Sequence, residues 1–299
     1  MIRSLLAGRN QTGGFSLNVF SDDALEDIHL ATLEVLQKTG VFVDDDEAMD
    51  VFAGAGAMVD KKTKIVKIPP LVVEEAIQST PAQFVACGRT PKNDVVLGRN
   101  RVTFTNFGEG IKINDPYTGE HRETVKADVV NAARIIDYLD HLDTYERIMV
   151  SHDVPQETVS LHNAEASLTN TTKHHWLCPV DRFQAKKITE ICAAIVGGKE
   201  VLKKRPLLSF TTCPISPLKL PSHHCEIIME AAESHMGLNV VGMAMSAGSG
   251  PVHLAGTVII QNCEVLSSLI LSQLTRKGSQ FVYGSSTCPL DLRMATASV

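Results

Sequence analysis

The sequence predicts an α/β fold: a small N-terminal α/β module followed by a TIM (β/α)8-type barrel that is incomplete in this chain. From about residue 124 onward, five apolar strand-like runs alternate with amphipathic helical runs. The strands begin roughly 30 to 40 residues apart, the spacing of right-handed parallel βα repeats. The first strand exits into Ser151-His152-Asp153-Val154-Pro155, without the Gly-rich turn of a doubly wound nucleotide-binding sheet. A barrel needs eight strands and five are legible. The 299 residues, about twice a typical ~150-residue domain, are ample for a buried core.

The elements follow in order. Ser21 caps a helix whose apolar positions Leu25, Ile28, Leu33 and Leu36 recur at helical spacing until Gly40 stops it. Asp46–Ala53 reads as a second helix ended by Gly54 and Gly56, Lys64–Ile68 alternates as a strand, and Pro69-Pro70 opens a helix through Ile77. Short strands are expected at Gln83–Cys87, Asp94–Leu97 and Arg101–Phe104. Ile111–Ile113 and Arg122–Val125 flank the turn Asn114–Gly119 as a β-hairpin. These make residues 1–123 the N-terminal module and 124–299 the partial barrel of about five βα units. In the barrel region, helices at Val125–Leu139, Pro155–Leu168, Phe183–Val196, Pro221–His235 and Pro251–Leu274 precede strands or follow them. The strands are Tyr145–Val150, His174–Leu177, Leu207–Phe210, Leu238–Val241 and Gln280–Tyr283. No closing helix follows Tyr283, so the barrel is expected to continue in a longer protein. An open sheet of five strands would expose two unpaired edges, which predicts marginal stability and association into a homo-oligomer.

Composition narrows the class of function. With 44% hydrophobic and 21% charged residues the chain is globular, and a net charge of −6 excludes a basic nucleic-acid surface or one for anionic membranes. Met1–Arg9 has too short an apolar step for a secretory signal, and Val252–Leu274 is interrupted by Gln261, Asn262 and Glu264, as expected of a buried helix rather than a membrane span. Seven cysteines without a CxxC pair read as reduced thiols of a cytoplasmic protein with no metal site.

Residues just past the carboxyl ends of parallel strands face the substrate in such folds. Those segments here are rich in small hydroxyl residues, Cys, Met and Gly and poor in charge, suiting a compact, weakly polar ligand. Gly248-Ser249-Gly250-Pro251 reads as a turn in which Ser249 caps the next helix or, less favoured, as an anion site. His174 and His175 are adjacent in a strand, so one of them faces the interior. Ser151-His152-Asp153 is sequential rather than a spatial triad, and His223-His224-Cys225 at a helix start is a poor metal site. Asn106-Phe107-Gly108-Glu109-Gly110 places a carboxylate in a glycine-flexible loop.

Several segments together resemble the trimethylamine:corrinoid methyltransferase family. They are Phe104–Gly110, Asn170–His174, Cys213–Leu218, Met243–Thr257, Asn262–Ser267 and Tyr283–Thr287, and they keep the family's order across nearly the whole chain. The resemblance implies a TIM-barrel enzyme moving a methyl group from a methylated amine to the Co(I) corrinoid of a cognate partner protein. It implies no cofactor bound directly, the corrinoid (cobalamin) being carried by that partner. It points to trimethylamine first and to a quaternary amine such as glycine betaine second. A rival from another class is a non-catalytic binding protein for methylated ammonium compounds. The trimethylamine branch carries pyrrolysine, expected beyond Val299 together with the catalytic residue, which leaves the catalytic residue unknown within this chain. A departing amine must be cationic, and a cation favours aromatic faces and carboxylates. Tyr283 and Glu109 are therefore the leading contacts, with Asn106, His175, Ser285 and Ser286 as orienting groups.

Overall fold

The computed structural model describes residues 9–10, 19–98 and 101–298; the Met1–Arg9 reading thus falls almost wholly outside the described residues. The helices are α1 (Asp22–Lys38), α2 (Asp46–Gly54), α3 (Pro70–Ser79), α4 (Lys126–Tyr138), α5 (Val159–Leu168), α6 (Arg182–Val196), α7 (Lys199–Lys204), α8 (Ser222–Glu233) and α9 (Leu254–Thr275). Two compact units are formed. One takes Ala82–Thr211 and Ser234–Gly237 with the strand Arg9–Asn10; the other takes residues 19–81, Thr212–Glu233 and 238–298. Both cross the division drawn at residue 123.

In the second unit the N-terminal segments and the late ones share one core, which is why that division does not hold. Helices α1, α2, α3 and α8 all pack on α9. The strand Val41–Val43 pairs in parallel with Lys219–Leu220 and antiparallel with Ile65–Lys67. Local signals set the helix ends as the sequence predicts. Ser21 Oγ accepts from the Ala24 N–H at 3.2 Å, and the chain leaves α1 through Gly40 at φ +79, where a Cβ would lie 2.4 Å from the Val66 carbonyl oxygen. By length and composition α9 could cross a bilayer, at a mean hydropathy of 1.6. Yet its Gln261, Glu264, Ser268 and Gln273 are buried inside the unit. The unit also holds residues 238–242 of the strand Gly237–Gly242 and the strand Phe281–Ser285, paired in parallel with Leu238 opposite Phe281. Residues after Tyr283, where the sequence shows no further element, form a ribbon: Cys288–Asp291 pairs with Thr296–Ala297 and with Met245–Ser246.

The first unit holds three parallel strands in chain order, Thr144–Glu146, His174–Leu177 and residues 208–211 of Leu208–Thr212, with Tyr145 opposite His175 and His175 opposite Leu208. The first ends at Glu146 rather than Val150. Beyond it the chain turns to bond the Phe104–Gly110 segment: Gly110 N–H donates to Ile148 O at 2.7 Å and Val150 N–H to Gly110 O at 3.0 Å. That segment also accepts from Asp143 N–H at Phe104 O, 2.7 Å. It therefore covers an edge that the strand count alone leaves bare. The short helix α7, after Gly197-Gly198, is an element that the sequence pattern does not announce.

Three histidines are buried and neutral. His174 Nδ1 donates to Cys87 O and its Nε2 is bonded to Ser209 Oγ, both at 3.0 Å. His224 bridges Thr212 and Ser268, each at 2.9 Å. Burial pushes His174 down to about 4 and His175 and His224 to about 3. A depressed histidine lends stability above its unfolded value near 6.5 and loses it as pH falls toward the folded value. The urea midpoint is accordingly expected to fall steadily from pH 6.5 to pH 4, starting well above the carboxylate range. A midpoint flat to pH 5 contradicts this.

Candidate functional site

The pleat decides which candidates share a surface. Tyr145 and His175, paired across two strands with ring centroids 5.2 Å apart, face Ser167 of α5, whose groups bear on the titration of both. The opposite face carries Thr144, Glu146, His174, Trp176 and Ser209. His175 is thus turned toward a helix, and His174 lies on the other face, fully buried.

At the carboxyl end of the first strand stands Glu146. The side-chain amide of Asn106 grips its backbone from both sides: Nδ2 donates to Glu146 O at 2.8 Å and Oδ1 accepts from Glu146 N–H at 2.9 Å. Gly108 packs on the side chain, and a Cβ there would sit 2.8 Å from Glu146 Cγ. The carboxyl itself takes no hydrogen bond or ion pair from any described residue. Burial alone pushes it up to about 8, well above the usual carboxylate range. Trp176, on the same face and in register with Glu146, donates from Nε1 to Thr144 Oγ1 at 3.1 Å.

The neighbouring charges are already matched. Arg147, 8% exposed, donates from Nη1 to Cys178 O at 2.9 Å and pairs through Nη2 with Glu109. Burial holds the guanidinium below its usual value. Glu109, the leading carboxylate of the sequence reading, is therefore committed to Arg147, and Glu146 is the carboxyl left open. Asn106 spends its side-chain amide on the Glu146 backbone. Sequence reasoning passes over Glu146 because Tyr145–Val150 reads as an apolar strand. The signal was there, since a Glu and an Arg inside such a run are costly unless paired or used.

In the second unit Tyr283 shares the phase of Phe281, and its hydroxyl donates to Asn262 Oδ1 of α9 at 3.0 Å. Burial pushes that phenol up to about 12. Ser285, two residues on, accepts the Thr287 N–H at 3.2 Å. Both are engaged locally, Tyr283 against a helix. Ser286 is exposed, and its N–H donates to Gly242 O at 2.9 Å. Gln261 of α9 reaches the strand ends instead, donating to Gly284 O at 3.0 Å and accepting from Thr287 Oγ1 at 2.7 Å. Ser249 does not cap α9, which starts five residues later. Its Oγ accepts the Met245 N–H at 3.0 Å, leaving the glycine turn apart from the helix N-terminus. Ser151, His152 and Asp153 likewise bond separately, to Asn163, Thr124 and Lys126.

Comparison with known proteins places the chain in a family. Residues 9–298 match the family described as trimethylamine methyltransferase (MTTB). The chain is 45% identical over all its 299 residues to trimethylamine methyltransferase MttB of Desulfitobacterium hafniense, of which it covers 60%. It is 39% identical over 98% of its length to the MttB of Methanosarcina thermophila, covering 62% of it. With a glycine betaine methyltransferase of Desulfitobacterium hafniense it shares 28% identity over 94% of this chain and 58% of that one. The monomethylamine methyltransferase structure of Methanosarcina barkeri superposes with a TM-score of 0.49 at 15% identity, over 91% of this chain and 59% of that one. The chain thus spans about three-fifths of the length of these relatives. A match running from residue 9 to residue 298 places it in the trimethylamine methyltransferase family.

Proposed function

We propose that the protein transfers a methyl group from a methylated amine, trimethylamine foremost, to the Co(I) corrinoid of a cognate partner protein, and that its parallel strands belong to a (β/α)8 barrel. The identity of 45% across the whole chain to a named trimethylamine methyltransferase carries this reading. The corrinoid enters as a co-substrate that accepts the methyl group as the C–N bond breaks and the electron pair leaves with nitrogen. The protein's part is to hold the amine cationic, oriented and open on one face. Glu146 with Trp176 supplies a carboxyl and an aromatic group on one surface for that. In this reading the protein works in the cytoplasm as a homo-oligomer; its seven free cysteines agree with a reducing compartment.

A quaternary amine is the second reading, favoured by the likeness to the glycine betaine enzyme. The test uses protein made from the whole reading frame to which the chain belongs, mixed with a Co(I) corrinoid protein and either trimethylamine or glycine betaine. Methyl-Co(III) is expected to accumulate with trimethylamine. Accumulation only with betaine selects the second reading, and none with a panel of methylated amines overturns both. Binding without transfer indicates a binding protein. An in-frame amber codon downstream of Val299 would mark the pyrrolysine branch.

A further inference from the structure

We infer that Glu146 is the counter-group of the substrate cation, its carboxyl paired with a methylated ammonium ion once one is seated. The ligand class rests on the function proposed above; the rest stands on geometry. Glu146 sits at a strand's carboxyl end on the face away from α5, its backbone clamped by Asn106 and its stem against Gly108. Its carboxyl has no partner among the described residues. Trp176 stands in register beside it, giving the pairing of carboxyl and aromatic ring that desolvated ammonium ions favour.

The surrounding titratable groups leave the role to Glu146. From the covering segment comes Glu109, tied to Arg147. From the next strand comes His174, kept neutral by burial and bonded to Cys87 O and Ser209. On its own strand Tyr145 points to the opposite face, toward α5. Arg147 is held by Glu109 and Cys178 O. No neighbouring charge contributes to the behaviour of Glu146, which burial alone keeps protonated.

An entering cation reverses that balance, because a carboxylate beside it is worth more than an acid. The proton balance depends on the ligand. A permanent cation expels the Glu146 proton to the buffer as it binds. Neutral trimethylamine takes the same proton onto nitrogen, with none released, and after the methyl group has gone it departs as neutral dimethylamine with that proton, Glu146 regaining one from solvent as the site empties. Both routes end with carboxylate against ammonium.

The experiment needs neither corrinoid nor methyl transfer. Tetramethylammonium, which cannot carry a proton, is titrated into the protein by calorimetry at pH 7 in two buffers of different ionisation enthalpy. Close to one proton is expected to be released per cation bound, with affinity rising by up to about tenfold per pH unit between pH 6 and pH 7.5. Glu146→Gln, a neutral group of the same shape, is expected to release none, to bind about 30-fold more weakly at pH 8 and to show no pH dependence. Its urea midpoint at pH 6 should match the parent's, which separates loss of binding from loss of fold. Binding by the parent without proton release overturns the inference. So does unchanged affinity in Glu146→Gln, or failure of the parent to bind the cation at any pH while it turns over trimethylamine. If proton-linked binding persists but no methyl-Co(III) forms, the functional reading falls and the counter-group assignment stands.

Discussion

Glu264→Ala is expected to cost about 4 kcal/mol of stability, read as a lower urea midpoint at unchanged slope. Glu264 lies fully buried in α9, where its carboxylate accepts from Ser216 Oγ at 2.8 Å and from Leu218 N–H at 2.9 Å. Leu218 holds φ +56, a left-handed conformation that a branched residue keeps only when its surroundings insist. Its carbonyl in turn accepts from Phe42 N–H at 2.9 Å, tying α9 through this turn to the small sheet. Alanine would strand two donors beside a cavity, each worth roughly 1 to 3 kcal/mol. Glu264→Gln keeps an oxygen for Leu218, and the Ser216 hydroxyl can turn to accept, so a loss under about 1 kcal/mol is expected. Burial also raises the Glu264 pKa. The stability it lends is full below the ordinary carboxylate value and declines as pH rises through the raised one, so the gap to alanine should narrow as pH rises above the ordinary carboxylate range. Equal losses in Gln and Ala would contradict the hydrogen-bond account.

Lys173→Met should cost about 3 kcal/mol, because two buried carbonyls lose their donor. Lys173 is 1% exposed, yet its ammonium donates to Ile136 O and to Leu139 O, the latter at 2.6 Å. These are carbonyls of the last turn of α4 and of its C-cap, where a cation also meets the negative end of the helix dipole. Next to it, Asp137 accepts from Thr171 Oγ1, Thr172 N–H and Thr172 Oγ1 at 3.0, 2.7 and 2.8 Å. The end of α4 is thereby stitched to the segment feeding the second parallel strand. Equilibrium denaturation, with amide exchange along α4, measures the effect; a loss below 1 kcal/mol would mean that water replaces the ammonium.

The order of elements was legible in the sequence because buried parallel strands read as unbroken apolar runs and their helices as 3.6-residue periods. His174–Leu177 has its predicted bounds, and α6 is within one residue of them. Facing was harder, since the phase of the pleat inverts every assignment and nothing local sets it. His175 and Tyr283 therefore read as candidates although both face helices. Division into units was illegible for another reason: the partners of α1 lie more than 200 residues away and those of α3 more than 170, on α9. Of the candidate site, the loop that carries Asn106 was legible as a strand-edge loop, whereas Glu146 was hidden inside a run counted as hydrophobic.

The grip of Asn106 on Glu146 also provides a built-in reporter. The Glu146 N–H is secured by a side chain from a covering segment rather than by another strand. Its exchange with deuterium should follow lifting of the Phe104–Gly110 segment. Exchange of the His175 amide, bonded to Leu207 O inside the sheet, should follow unfolding of the sheet. Comparing the two amides in one sample would time the opening of the cover over Glu146 against the persistence of the strands beneath it.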